Sequence, residues 1–136
     1  MKTKLTIIPR YAETDQMGII HHSVYPIWYE CGRTAFCKDL GMPYHEMEKK
    51  GVALAVINVN VNYKYPAFYG DELTIYTWIS SCTKIRVEFG YEIYNQNNEL
   101  INYGSTMHAW VNDKLRPVNI VKIAPEIYEF LLKTKE

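Results

Sequence analysis

SVYPIWYECGRTAFCKDLG, residues 23–41, decides the fold. Ser23 carries the side chain of a helix cap, and Pro26 falls in a first turn, where its missing N–H is tolerated. Gly41 stands where a helix commonly ends in the left-handed conformation. Between these signals Tyr25, Ile27, Trp28, Tyr29, Cys31, Ala35, Phe36, Cys37 and Leu40 cover most of the predicted helix circumference. A helix that is apolar all round is buried. In a chain of 136 residues such a helix needs something wrapped around it.

The flanking sequence supplies the wrapping. Residues 3–11, TKLTIIPRY, read as a first strand with Pro9 marking an edge or bulge. A polar turn, AETDQMG, follows. Met42 to Lys50 reads as a short second helix. Val52 to Tyr65 reads as a long strand that alternates from Ile57 onward as INVNVNYKY, and Pro66 ends it. Leu73 to Ile79 is another strand. Lys84 to Tyr94 alternates again, with Ile85, Val87, Phe89, Tyr91 and Ile93 on one face. NQNN at 95–98 is a turn, Leu100 to Val111 a last long strand, and Pro125 opens an amphipathic helix. Four successive strands joined by short turns pair antiparallel. The expected fold class is α+β: one domain over residues 1–136, an antiparallel sheet of about five strands curled around a long central helix.

Composition narrows the function. Hydrophobic residues make up 48% of the chain, enough for a real core and too many for a disordered one. The 15 basic and 15 acidic residues cancel, so no nucleic-acid partner is expected. No segment approaches the roughly 18 apolar residues of a membrane span. The start, MKTKLTIIPR, lacks the apolar region of a signal peptide, and a cytoplasmic protein without a membrane partner is expected. Cys31, Cys37 and Cys82 form no Cys-x-x-Cys pair and read as reduced thiols in or near the core. The twelve tyrosines suit half-buried sheets, interfaces and ligand clefts.

Several common active sites are missing: there is no Gly-x-Ser-x-Gly elbow, no phosphate-binding loop and no dinucleotide fingerprint. The adjacent pair His21-His22 lacks the spacing of two metal ligands on one helical face, and neither metal nor cofactor is expected. What remains is DQMGIIHHSVY, Asp15 to Tyr25, a carboxylate and a glycine in a loop that feeds the buried helix. A helix start offers unpaired N–H groups and a positive dipole end, which can hold an oxyanion. Loop acid plus helix-start donors is a minimal acyl-transfer site. The same residues also fit ordinary turn chemistry.

The run YAETDQMGIIHHSVYPIWYECGR, Tyr11 to Arg33, resembles the signature of the 4-hydroxybenzoyl-CoA thioesterase family of the hot-dog superfamily. VINVNVNYKYPAFYGDEL, Val56 to Leu73, resembles the strand and turn that follow the central helix in those enzymes. The resemblance implies a hot-dog fold and hydrolysis of an acyl-CoA, with CoA entering only as part of the substrate. It implies that Asp15 is the catalytic nucleophile or general base and that Gly18 lets the loop turn below the thioester. His22 falls where the family binds the thioester oxygen through a backbone N–H, and Tyr25 where one branch carries a tyrosine. Lys84 and Arg86 are the positions that best match the contacts to the CoA phosphates. The resemblance further implies a homodimer with continuous sheets, often paired into a homotetramer, with active sites at the subunit interface. Glu30 and Arg33, the charged residues on the early half of the helix, are expected to pair with each other. A thioester suits so sparse a site, because a thiol of pKa near 8.5 leaves without a strong acid. The rival readings are an acyl carrier protein thioesterase, a non-catalytic acyl-CoA-binding protein, and a hot-dog dehydratase, which would need a histidine base.

Overall fold

The computed structural model describes residues 1–136. Strands β1 (Thr3–Ile7), β2 (Ala53–Tyr63), β3 (Leu73–Cys82), β4 (Arg86–Tyr94) and β5 (Leu100–Val111) form one sheet. Its order is β1-β3-β4-β5-β2, and every pairing is antiparallel. Helix α1 (Tyr25–Asp39) lies in the curl of the sheet, and α2 (Tyr44–Lys49) follows it. Two helices close the chain: the single turn α3 (Ile120–Ile123) and α4 (Pro125–Thr134). The expected α+β hot-dog architecture is present.

The strands form where apolar side chains alternate. On β3 Leu73, Ile75, Thr77 and Ile79 point into the core, and on β4 Val87, Phe89, Tyr91 and Ile93 do the same. Trp28, Tyr29, Phe36 and Cys37 of α1 meet them. Each such large side chain contributes about 1.5–3 kcal/mol on full burial. Gly32 sets the distance between helix and sheet, since a Cβ there would meet Thr77 Oγ1 at 2.5 Å. Gly41 ends the helix at φ +89°, a conformation glycine adopts freely.

Five expectations are corrected. Helix α1 is not buried all round: Ile27, Glu30, Cys31 and Thr34 form an exposed stripe at i, i+3, i+4 and i+7. Cys31 is therefore exposed, while Cys37 is buried. Ser23 is not the cap of α1: it lies inside the 3₁₀ turn His22–Val24, which His21 caps by accepting from Ser23 N at 3.1 Å, and Val24 precedes α1 without a side-chain cap. Ile85 is exposed in the turn before β4 rather than on its apolar face. Finally, β2 does not pair with β3, its successor in sequence. Residues 64–72 carry the chain across, and β2 pairs with β5 at the far edge.

A buried polar seam runs beside α1. The Tyr29 hydroxyl donates to Asn102 Oδ1, and its ring stacks on Tyr91 at 4.2 Å. The Tyr91 hydroxyl sits 2.6 Å from Thr106 Oγ1, which is 2.8 Å from His108 Nε2. Burial first, and the nearby Arg33 charge second, lower the His108 pKa to about 3, so the ring is neutral.

Candidate active site

The loop before α1 is a tight hairpin. Asp15 N donates to Ile19 O at 2.8 Å, and Gly18 N to Asp15 O at 3.0 Å. Gly18 takes φ +84°, which would cost an ordinary L-residue roughly 1–2 kcal/mol. Asp15 is half-buried. Its Oδ1 accepts from Met17 N at 2.8 Å, and Oδ2 has no protein partner. The carboxylate is thus oriented by one oxygen and free on the other.

Two contacts fix this hairpin to the body of the protein. Ile20 N donates to Ala67 O, in the crossing segment, and His21 N donates to Glu13 O, both at 2.9 Å. Glu13 is buried, and its Oε1 accepts from Arg10 N at 2.7 Å. His22 to Val24 then form a 3₁₀ turn that runs into α1. The His22 N–H donates to no protein acceptor, while its carbonyl accepts from the Tyr63 hydroxyl at 2.7 Å. Tyr63 therefore ties the helix entrance to the end of β2.

These pieces enclose a cavity of about 350 Å³ walled by Asp15, Ile19, His22, Tyr25, Tyr63 and Lys64, among others. Tyr25 packs edge-on against Tyr63 with ring centroids 5.2 Å apart. Burial pushes its hydroxyl up to about 12, so it is a neutral donor at physiological pH. Lys64 is the cation on this wall. Asp15, His22 and Tyr25 come together here, and Gly18 shapes the turn without lining the cavity.

Lys84 and Arg86 do not join them within one chain. Arg86 pairs with Ala109 of β5, whereas Tyr63 pairs with Asn102, so the two lie at opposite ends of the sheet. Seven residues of strand separate those levels, about 23 Å. Both side chains are exposed. Glu30 and Arg33 do pair, at 3.8 Å between Oε2 and Nη2. The sequence reading passed over Tyr63 and Lys64. They close the alternating run INVNVNYKY, but only the curl of the sheet shows that its end meets the helix entrance. No three His, Cys, Asp or Glu side chains gather closely enough to chelate an ion. No helix is long and apolar enough to cross a membrane.

Comparison with known proteins agrees with this geometry. Residues 9–131 match the family model of the thioesterase-like superfamily. The chain is 41% identical over 135 residues to YneP, a candidate acyl-CoA thioesterase of Bacillus subtilis, covering 98% of each chain. It is 30% identical over 108 residues to the acyl-CoA thioester hydrolase YbgC of Escherichia coli O157:H7, covering 79% of this chain and 81% of that one. Among solved structures, the DHNA-CoA thioesterase of Staphylococcus aureus superposes with a TM-score of 0.93 at 35% identity, covering 97% of this chain and 89% of that one. Fold, loop and relatives agree along nearly the whole length: the chain belongs to the thioesterase-like superfamily, the hot-dog-fold thioester hydrolases.

Proposed function

We propose that this enzyme hydrolyses acyl-CoA thioesters in the Asp15 cavity, releasing a carboxylic acid and free CoA. The observation that carries the proposal is the meeting of a half-free carboxylate and a free backbone N–H, those of Asp15 and His22, on one cavity wall. A thioester carbonyl lodged there would place its oxygen on the His22 N–H at the positive end of α1. Asp15 Oδ2 would then act in one of two ways. It attacks the carbonyl carbon, the C–S bond breaks, the thiolate leaves, and water hydrolyses the acyl-aspartyl anhydride. Alternatively it takes a proton from a water that attacks the same carbon. The N–H stabilises the oxyanion on either route.

The working unit is a homodimer, further paired into a tetramer. β2 is a sheet edge of 11 residues, and Val56, Ile57, Val59 and Tyr63 along it are exposed. A long apolar edge is a template for pairing with another strand. Two-fold pairing of β2 with its copy would bring the Arg86 end of one sheet toward the Tyr63 end of the other. Lys84 and Arg86 would then meet the CoA phosphates of the partner's site. Lys64 would hold the pantetheine side in its own chain. The enzyme works in the cytoplasm and needs no metal or cofactor.

The test is thiol release from a panel of acyl-CoAs and acyl carrier protein thioesters by wild type and Asp15→Asn. Turnover of CoA esters that Asp15→Asn abolishes supports the proposal. Binding without thiol release identifies a carrier, and preference for the carrier-protein ester identifies the acyl carrier protein reading.

A further inference from the structure

The entrance to α1 carries a gap written into the sequence. In an α-helix the C=O of residue i accepts from the N–H of residue i+4. Four residues after His22 stands Pro26, which has no N–H. The helix therefore cannot give the His22 carbonyl that donor from its own backbone. A donor comes instead from the sheet: the Tyr63 hydroxyl donates to His22 O at 2.7 Å. Desolvation raises the pKa of this hydroxyl, so it keeps its proton.

Tyr63 reaches His22 by register. It lies opposite Asn102 at the end of β2, and the Asn102 side chain takes the Tyr29 hydroxyl of α1, so both residues point to the helix side of the sheet. A slip of one residue would turn Tyr63 to the outer face. Its ring stands edge-on to Tyr25, the residue that opens α1. Tyr63 is nevertheless 52% exposed, so little of the core depends on it. His22 is gripped on both sides. The peptide before it is held by Val24 N, which donates to His21 O at 3.0 Å, and the peptide after it by Tyr63. With both peptide planes held, the free His22 N–H cannot swing.

We propose that Tyr63 is a positioning residue for thioester hydrolysis: from β2 it holds the turn before α1 so that the His22 N–H stays aimed at the thioester oxygen. This rests on the thioesterase reading above. β2 thereby supplies the stiffness that Pro26 denies the helix start. Tyr63 acts through His22 and exchanges no proton with the substrate.

The experiment measures thiol release from acetyl-, hexanoyl- and benzoyl-CoA by wild type, Tyr63→Phe, Pro26→Ala and the double variant. An oxyanion donor lost outright costs about 10²–10³-fold. Tyr63→Phe keeps the donor but lets it swing, and should lower kcat about 10-fold while KM stays within about 2-fold. Pro26→Ala restores an N–H at i+4, so the double variant should recover most of that loss. A role in packing against Tyr25 would not be repaired this way. Infrared spectra of the same esters, labelled with 13C at the carbonyl and bound to Asp15→Asn, read the hydrogen bond without turnover. The carbonyl stretch should fall on binding and return toward its free value when Tyr63→Phe is added. Unchanged kcat in Tyr63→Phe, a loss confined to KM, or a kcat loss with neither recovery by Pro26→Ala nor a change in the stretch would overturn the positioning role and leave the hydrolase reading standing. A lowered stretch that depends on Tyr63, without thiol release by wild type, would uphold the positioning and overturn the hydrolase reading. No thiol release and no lowered stretch with any ester would overturn both.

Discussion

His108 makes the stability of this protein depend on pH in a way that can be calculated. The ring is fully buried on β5, hydrogen-bonded through Nε2 to Thr106, with no partner at Nδ1. Burial and the Arg33 charge hold its pKa at about 3, against about 6.5 in an unfolded chain. The folded value is depressed, so protons bind the unfolded state preferentially. Stability is full above the unfolded pKa and declines as pH falls from about 6.5 toward 3. Between pH 7 and pH 5 the unfolded imidazole goes from about one-quarter to almost fully protonated, while the native ring stays neutral. Integrating that difference gives a loss of about 2 kcal/mol. The result is the same for any folded value below about 4, because the native ring then takes up almost no proton in this window. His108→Leu removes the titration and leaves Thr106 bonded to Tyr91. Urea unfolding at fixed protein concentration should show wild type losing about 2 kcal/mol more than His108→Leu between the two pH values, a midpoint difference of about 1 M. Equal losses in the two proteins would refute the reasoning.

Asp15→Ala should fold normally and lose at least about 10²-fold in kcat by thiol release, the scale of a missing acid–base group; near-normal kcat would remove Asp15 from the mechanism. His22→Ala keeps the backbone N–H and should lose less activity than Asp15→Ala, whereas His22→Pro deletes the donor and should lose about 10²–10³-fold if circular dichroism and oligomer size are unchanged. Equal damage from His22→Ala and Asp15→Ala would make the imidazole a direct participant. Gly18→Val places a β-branched residue at φ +84° with open space around its Cβ, so backbone strain alone should lower stability by about 1–2 kcal/mol and loosen the Asp15 turn. Val59→Asp on the free edge of β2 should shift the oligomer toward monomer in light scattering and reduce activity with it; an active monomer would place the complete site in one chain. Prolonged EDTA treatment should leave thiol release unchanged, and loss restored by an added divalent ion would assign a metal.

Much of this molecule is written in local patterns. Pro26, Gly41 and the aromatic run between them define α1, because capping and the pitch of a helix depend only on near neighbours. The alternation through Val87, Phe89, Tyr91 and Ile93 defines β4 for the same reason. The DQMG turn is equally local: φ +84° at Gly18 and the Asp15 to Met17 bond close within four residues, so its candidacy was legible. Pairing across distance was not. INVNVNYKY reads as one unbroken alternation, yet the register slips between Val56 and Asn58. The bulge aligns Val56, opposite His108, with Val59, opposite Thr106, on one face, which makes Val56 a cavity wall. Nor does sequence adjacency report that β2 leaves β3 for β5, which makes β2 an edge strand of the sheet. Arg33 is the sharpest case. By spacing it is Glu30's helical partner, and that pairing exists at 3.8 Å. Only the fold of the sheet over it buries its guanidinium beside Tyr91 and Tyr44, because burial is a property of what packs on top of a residue, and the packing elements lie some ten to sixty residues away in sequence.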